Sequence, residues 1–322
     1  MTMPDRRLFR CCALALVATA AVAACGRSVP DDAAAPRAAG SGFPVTVTSS
    51  AGSVTIEHPP QRIVALTDAG FENVLAFGEQ PVAASVKYLD ALPYLADHRN
   101  DKAIDPSLGD YMTVGVEVEA VAAHKPDLII APAWVNLMKF KDQLSRIAPT
   151  LFFDALGSAP DWREGVEQVG AALGKSGRAK ELVAAAEEKY RALASRHPGL
   201  ARTTYSFGLA RSGAVTLGTG GAVLRLSGLK PAADQEEVER TRKVTTYSAE
   251  TVTDIDGRVV LLMARPQAER SVFEAMPVWS AIAPRVVWLS DAQGEAINNA
   301  GYLGKAWLPG SLDAELGRVA QG

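Results

Sequence analysis

Two periods run through the apolar positions of this chain, and each marks a different kind of element. Val45-Thr46-Val47-Thr48 and Val54-Thr55-Ile56 alternate apolar with polar around Ser50-Ala51-Gly52-Ser53, the pattern of a β-hairpin with one buried face. Apolar runs at 62–66, 81–86, 128–131, 150–153, 204–210, 214–217, 259–261 and 285–289 have strand length. The run Leu128-Ile129-Ile130-Ala131 has no polar member, as expected of a strand buried on both faces of a parallel sheet.

Between these runs the period lengthens to that of a helix. Phe71, Val74 and Leu75 share one face of a helix over 70–77 that Gly78 stops, and Val118, Val121 and Ala122 do so in a short helix that Pro126 ends. Helices are also predicted at 135–147, 161–174, 177–196, 222–229 and 272–282, with a terminal one from 311. Strand, helix and strand in succession imply right-handed parallel crossovers. Residues 87–113 and 291–305 read as irregular, and long irregular segments in compact domains are commonly functional.

Residues 177–196, rich in Ala, Glu, Lys and Leu, would span about 30 Å as a helix, enough to run from one lobe to the next. On either side of them one device recurs at an offset of 131 residues. Glu119 falls on Glu250, Val121 on Val252, Pro126 on Gly257, and 128–130 on 259–261. The fold class expected is α/β, two lobes with mainly parallel sheets; such sheets bind ligands at the carboxyl edges of their strands.

The first residues change the picture of where the protein works. Arg6, Arg7 and Arg10 precede an apolar run over 11–24 that is too short to span a membrane well, so 1–24 reads as a secretory signal. It ends Val22-Ala23-Ala24-Cys25-Gly26, which resembles the lipobox of bacterial lipoproteins and makes Cys25 the expected site of lipid attachment. Residues 25–42 carry almost no large apolar side chain and read as a flexible tether. The expected boundaries are then a lobe at 43–157, helices including the joining one at 158–197, and a lobe at 198–322. A chain starting at Cys25 has no second Cys for an internal disulfide, and carries 30 basic against 35 acidic residues, a net charge of −5. That balance excludes nucleic acid as a partner.

Catalytic and metal patterns are absent from the sequence. His58, His98, His124 and His197 lack metal-ligand spacing, no nucleophile elbow or phosphate loop occurs, and Asp254 and Asp256 sit in a predicted turn. Gly218-Thr219-Gly220-Gly221 reads as a tight strand-to-helix turn rather than a dinucleotide fingerprint. No enzyme, cofactor or metal centre is expected. What the predicted carboxyl edges do carry is aromatic and cationic: Lys87 and Tyr88, Trp134, Arg211, Arg265 and Arg270, then Tyr302, Lys305 and Trp307. Such a set suits a bulky anionic ligand through stacking and charge-assisted hydrogen bonds.

These features together resemble the substrate-binding proteins of ABC importers for ferric siderophores, haem and cobalamin. The resemblance runs from Arg62-Ile63-Val64-Ala65-Leu66 and the segment 71–78, through 118–130 with its Lys125-Pro126-Asp127-Leu128-Ile129-Ile130, to 277–282 and the loop 302–307. It implies two Rossmann-like lobes joined by one long helix, with the ligand in the cleft between them. It implies also an extracytoplasmic, lipid-anchored monomer serving an ABC permease and its ATPase. One surface Glu on each lobe of such proteins docks into permease Arg pockets, and the matching positions are Glu119 and Glu250. Thr113 stands where a cobalamin binder carries a stacking Trp, which removes cobalamin. Tyr88, Tyr111 and Tyr302 leave haem open, and the cations rank an anionic ferric siderophore or ferric citrate first. An envelope lipoprotein without a transport role is the alternative.

Overall fold

The computed structural model describes residues 42–87, 89–98, 100–112, 115–155, 161–266 and 268–321. The expected signal segment, Cys25, the tether up to residue 41, Tyr88 and Thr113 lie outside the described residues.

The chain opens with the antiparallel hairpin of β1 (Val45–Ser49) and β2 (Gly52–Ile56), Val47 facing Val54. β3 (Ile63–Ala65), α1 (Asp68–Ala76) and β4 (Ala83–Ala84) follow, then α2 (Val118–Ala123), β5 (Leu128–Pro132), α3 (Val135–Met138), α4 (Lys141–Ser145) and β6 (Thr150–Phe153). The four strands from β3 to β6 form one parallel sheet in the order β4-β3-β5-β6. Strand alternation explains why β5 has no polar residue: Leu128 and Ile130 enter one apolar core, Ile129 and Ala131 another on the opposite face.

Next come α5 (Trp162–Ala172) and the 21-residue α6 (Ser176–Arg196), about 30 Å long at 1.5 Å per residue. Ala179, Leu182, Val183 and Ala186 on its first half pack into the core beneath β5, whereas Tyr190 and Leu193 pack into a core built mainly by the second lobe, with Phe207 and Leu261, which Phe71 and Leu95 of the first lobe join. The joining helix expected from the sequence is therefore shared by two cores.

The second lobe holds β7 (Thr204–Arg211), β8 (Ala214–Leu217), β9 (Lys230–Pro231), α7 (Ala233–Thr241), β10 (Thr245–Tyr247) and β11 (Val259–Ala264). It continues with α8 (Ala268–Glu274), α9 (Trp279–Ile282), β12 (Val286–Trp288), α10 (Asp291–Asn298), α11 (Tyr302–Ser311) and α12 (Asp313–Gln321). Its sheet runs β10-β8-β7-β11-β12, with β9 beside β7; β8 and β10 are antiparallel additions to a parallel centre. The repeat read from the sequence survives at its strand: β5 lies between β3 and β6 as β11 lies between β7 and β12. Its helical half does not, because the counterpart of α2 shortens to a single 3-10 turn, Val252–Asp254.

Other departures concern helices. The predicted helix at 135–147 is two short ones, α3 and α4, and that at 222–229 is a 3-10 stretch, Thr219–Ser227. Residues 291–305, expected to be irregular, are mostly α10 and the start of α11. Gly220 and Gly221 are required by close packing: a Cβ on Gly220 would stand 2.8 Å from Asn298 Oδ1, and one on Gly221 3.0 Å from Gln235 Nε2.

Candidate ligand cleft between the lobes

The carboxyl ends of β5 and β6 meet the 3-10 stretch at Thr219–Ser227 and the junction of α10 with α11 across a narrow cleft of about 40 Å³. Asn73, Trp134, Trp162, Asn298, Asn299 and Lys305 line it, among small residues that include Ala69, Gly220 and Gly301. A wider groove of about 720 Å³ adjoins it and shares Trp162, Ala222 and Val223 with it; the groove, rather than the narrow cleft alone, has the size of small-molecule sites.

Helix ends set the electrostatics here. The first-turn N–H groups of α11 have no intrahelical acceptor, and α1 of the first lobe supplies two. Asn73 Oδ1 accepts from Tyr302 N–H at 2.8 Å and Glu72 Oε2 from Gly304 N–H at 2.9 Å. The contact is tight enough that a Cβ on Gly301 would lie 2.5 Å from Ala69 O. At the other side of the junction, Lys305 Nζ donates to the carbonyls of Ala296 and Ile297, each at 2.8 Å, at the C-terminal end of α10 where a cation favours the helix dipole.

Glu72 and Lys305 are both buried, and burial disfavours the charged form of each. Burial pushes the Glu72 carboxyl up to about 8, with Asp68 and Glu295 adding to the rise and Gly304 N–H and Lys305 opposing it. Burial lowers the Lys305 ammonium to about 8 against the pull of Glu72 and Glu295. Glu72 Oε1 and the Tyr94 hydroxyl are buried without a hydrogen-bond partner among the described residues.

Of the residues expected to bind ligand, the structure brings Trp134 and Lys305 to the cleft. Trp134 sits 5.8 Å from the Tyr111 ring, and its buried Nε1–H has no partner among the described residues. Lys305 reaches the lining, but its ammonium is spent on α10 carbonyls. Lys87 pairs with Asp110 at 2.9 Å in a neighbouring hollow. Arg265 is paired with the buried Glu295, and Arg211 is exposed at the end of β7, outside the cleft lining. Arg270 lies 5.3 Å over the Trp288 ring, in a groove along the edge strand β12. Tyr302 and Trp307 are on α11 rather than on a loop; Tyr302 is buried among core residues and the Trp307 ring packs against Tyr94 at 5.3 Å, tilted by 45°.

Sequence reasoning missed Asn73, Trp162, Asn298 and Asn299. Asn73 and its neighbour Glu72 sit between apolar residues of α1, and a polar pair there has the spacing of a solvated face; the approach of α11 buries it. The Tyr111 hydroxyl, held open as a haem ligand, donates instead to Asp68.

Glu119, in the first turn of α2, and Glu250, in the turn before Val252, are both exposed and make no ion pair among the described residues. Each stands nine positions before the central strand of its sheet, Glu119 before Leu128 and Glu250 before Val259. His124 and His197 are engaged by Asp105 and Asp313, each at 2.6 Å. Among the described residues no group of three or more His, Cys, Asp or Glu is placed to hold a metal ion, and no helix is long and apolar enough to cross a membrane.

Comparison with known proteins adds to this geometry. The profile of the periplasmic binding protein family matches residues 63–284. The probable siderophore-binding lipoprotein YfiY of Bacillus subtilis is 32% identical over 216 residues, 65% of this chain and 65% of that protein, so the match spans just under two thirds of its length. Among solved structures, SirA of Staphylococcus aureus complexed with staphyloferrin B has a TM-score of 0.71 at 21% identity, over 84% of this chain and 98% of that one. PiaA of Streptococcus pneumoniae in complex with ferrichrome has 0.69 at 19% identity, over 86% and 99%. At those identities the likeness is one of fold.

Proposed function

The chain belongs to the periplasmic binding protein family, and on that premise we propose that it is an extracytoplasmic receptor that captures a ferric siderophore and delivers it to an ABC permease for iron uptake. The observation that carries this reading is the cleft at the carboxyl edges of β5 and β6, faced by the second lobe and lined by Trp134 and Trp162 with the amides of Asn73, Asn298 and Asn299. Indole faces and side-chain amides suit an organic chelate shell, which presents flat and hydrogen-bonding surfaces around the metal. Asn299 already donates to Glu295 and Asn73 already accepts from Tyr302, which leaves Asn298 as the amide without a bond to another described residue. The similarity to YfiY, named a siderophore-binding lipoprotein, supports the same cargo.

In this proposal Cys25 carries the lipid that keeps the receptor on the outer face of the cell membrane, and Glu119 and Glu250 dock the two lobes onto the permease. No step of chemistry on the cargo belongs to the receptor. Titrating the protein with ferric siderophores while following Trp134 and Trp162 fluorescence is the direct test. Saturable quenching is expected, and no response to any ferric siderophore, ferric citrate or haem would sink the reading.

A further inference from the structure

We infer that the ferric complex held in this cleft carries no net negative charge, which places it in the tris-hydroxamate class rather than among tris-catecholate or citrate complexes. This rests on the ferric-receptor reading above. Three hydroxamates cancel the charge of the ferric ion, whereas three catecholates leave three negative charges in excess. A polyanion taken out of water needs cations to face it.

Among the described residues the cleft lining does not offer them in excess. Lys305, the cation in its lining, gives its ammonium to the C-terminal carbonyls of α10. Asp154 is the lining residue with an acidic side chain; it accepts from Ser50 N–H at 3.1 Å and Gln168 Nε2 at 2.7 Å. Just behind the lining, Asp68 and Glu295 are buried, and Arg265 is bonded to Glu295.

The mouth repeats the balance. In the adjoining groove, Arg163, Arg225, Arg240 and Arg242 are matched in number by Asp161, Glu236, Glu237 and Glu239. Arg225 is 2.7 Å from Glu239 and Arg240 is 2.7 Å from Glu237, while Arg163 is bonded to Asp161 and Glu187. In the hollow beside Tyr111, Lys87 faces Asp110. Arginines outnumber acids beside the edge strand β12 rather than at the cleft: Arg258, Arg270, Arg285 and Arg318 line a groove there with Glu315, and Arg270 is paired with Glu274.

What the cleft does present is neutral and uncommitted. Among the described residues the Trp134 Nε1–H has no partner, and the half-buried Asn298 side chain lines the cleft without a hydrogen bond to another of them. Neutral donors of this kind match the oxygen atoms of an uncharged chelate.

The full chain, titrated by tryptophan fluorescence, is to be given three probes: the ferric tris-hydroxamate ferrichrome, the ferric tris-catecholate enterobactin complex, and ferric citrate. Ferrichrome is expected to bind at least about tenfold more tightly than either anionic complex. Asn298→Arg, which adds a cation to the lining, is expected to narrow that gap. Tighter binding of the catecholate or citrate complex by the unmodified chain, or an unchanged ratio in Asn298→Arg, would overturn the charge inference while leaving the receptor reading intact. If none of the three binds, the charge inference falls, and the receptor reading is decided by the wider set of ferric siderophores and haem.

Discussion

Asn73 Oδ1 accepts the Tyr302 backbone N–H at 2.8 Å, so a side chain of the first lobe caps a helix that begins 229 positions later. With Glu72 on Gly304 N–H, α1 satisfies two donors that α11 cannot satisfy itself. The two lobes are thus joined by polar contacts as specific as a cap within one helix.

Replacing Asn73 with Leu keeps the side-chain volume close to native and removes the acceptor. A lost cap costs about 1 kcal/mol, and leaving the buried donor unpaired raises the cost to about 1–3 kcal/mol. Urea unfolding measures it, and a variant as stable as the parent would show that water or another group already serves Tyr302.

Glu72 gives the protein a pH dependence whose sign follows from its raised pKa. Between the ordinary carboxylate value of 4.5 and about 8, the folded chain holds a proton that the unfolded chain releases, so stability declines as pH rises through that window. Lys305, lowered from 10.5 to about 8, acts above that point: there the unfolded chain binds the extra proton, and stability recovers with rising pH. The pair therefore contributes a trough near pH 8. In Glu72→Gln the decline on the acid side of the trough should flatten; thermal melts from pH 5 to pH 10 test it, and an unchanged slope would contradict a neutral buried Glu72.

Two glycines of one junction should respond in opposite directions to the same added methyl. A Cβ at Gly301 would meet Ala69 O at 2.5 Å and Asn73 Oδ1 at 2.7 Å, whereas nothing lies within 4 Å of one at Gly310. Gly301→Ala is expected to destabilise by about 1–3 kcal/mol through overpacking, and Gly310→Ala, within α11, to stabilise by about 0.5–1 kcal/mol. Equal effects in parallel urea titrations would refute the close approach of α1 and α11.

Docking separates from binding in a double variant. Glu119→Ala with Glu250→Ala should abolish iron uptake in cells while fluorescence titration returns the parental affinity, since both carboxylates are exposed and outside the cleft lining. Loss of affinity would assign them to the ligand instead.

The parts of the fold that were legible in the sequence are those with long, unmixed signals. β5 and β11 are buried at every position and read as apolar runs, and α6 is long enough for its period to be plain. α10 was illegible because it packs so near β11 that only small residues fit: a Cβ on Gly294 would stand 2.9 Å from the Met263 methyl. Small residues hide the apolar period, and glycine lowers helix propensity as well. Gly304, Pro309 and Gly310 masked α11 in the same way. For the cleft, the sequence placed Trp134 but credited Lys305, Arg265 and Lys87 with free charge, since which carbonyl or carboxylate engages a cation is decided by tertiary contacts between distant segments.

The division of α6 between two cores bears on how the protein comes apart. Each half of this 21-residue helix is shorter than the roughly 12–15 residues an isolated helix needs to persist in water. If one lobe melted, its half of α6 would lose its apolar support, and the helix would fray toward Tyr190 and Leu193 in the other core. The lobes therefore form one cooperative unit, expected to give a single heat-absorption peak in calorimetry, and cutting the chain within α6 should leave neither fragment able to hold its fold.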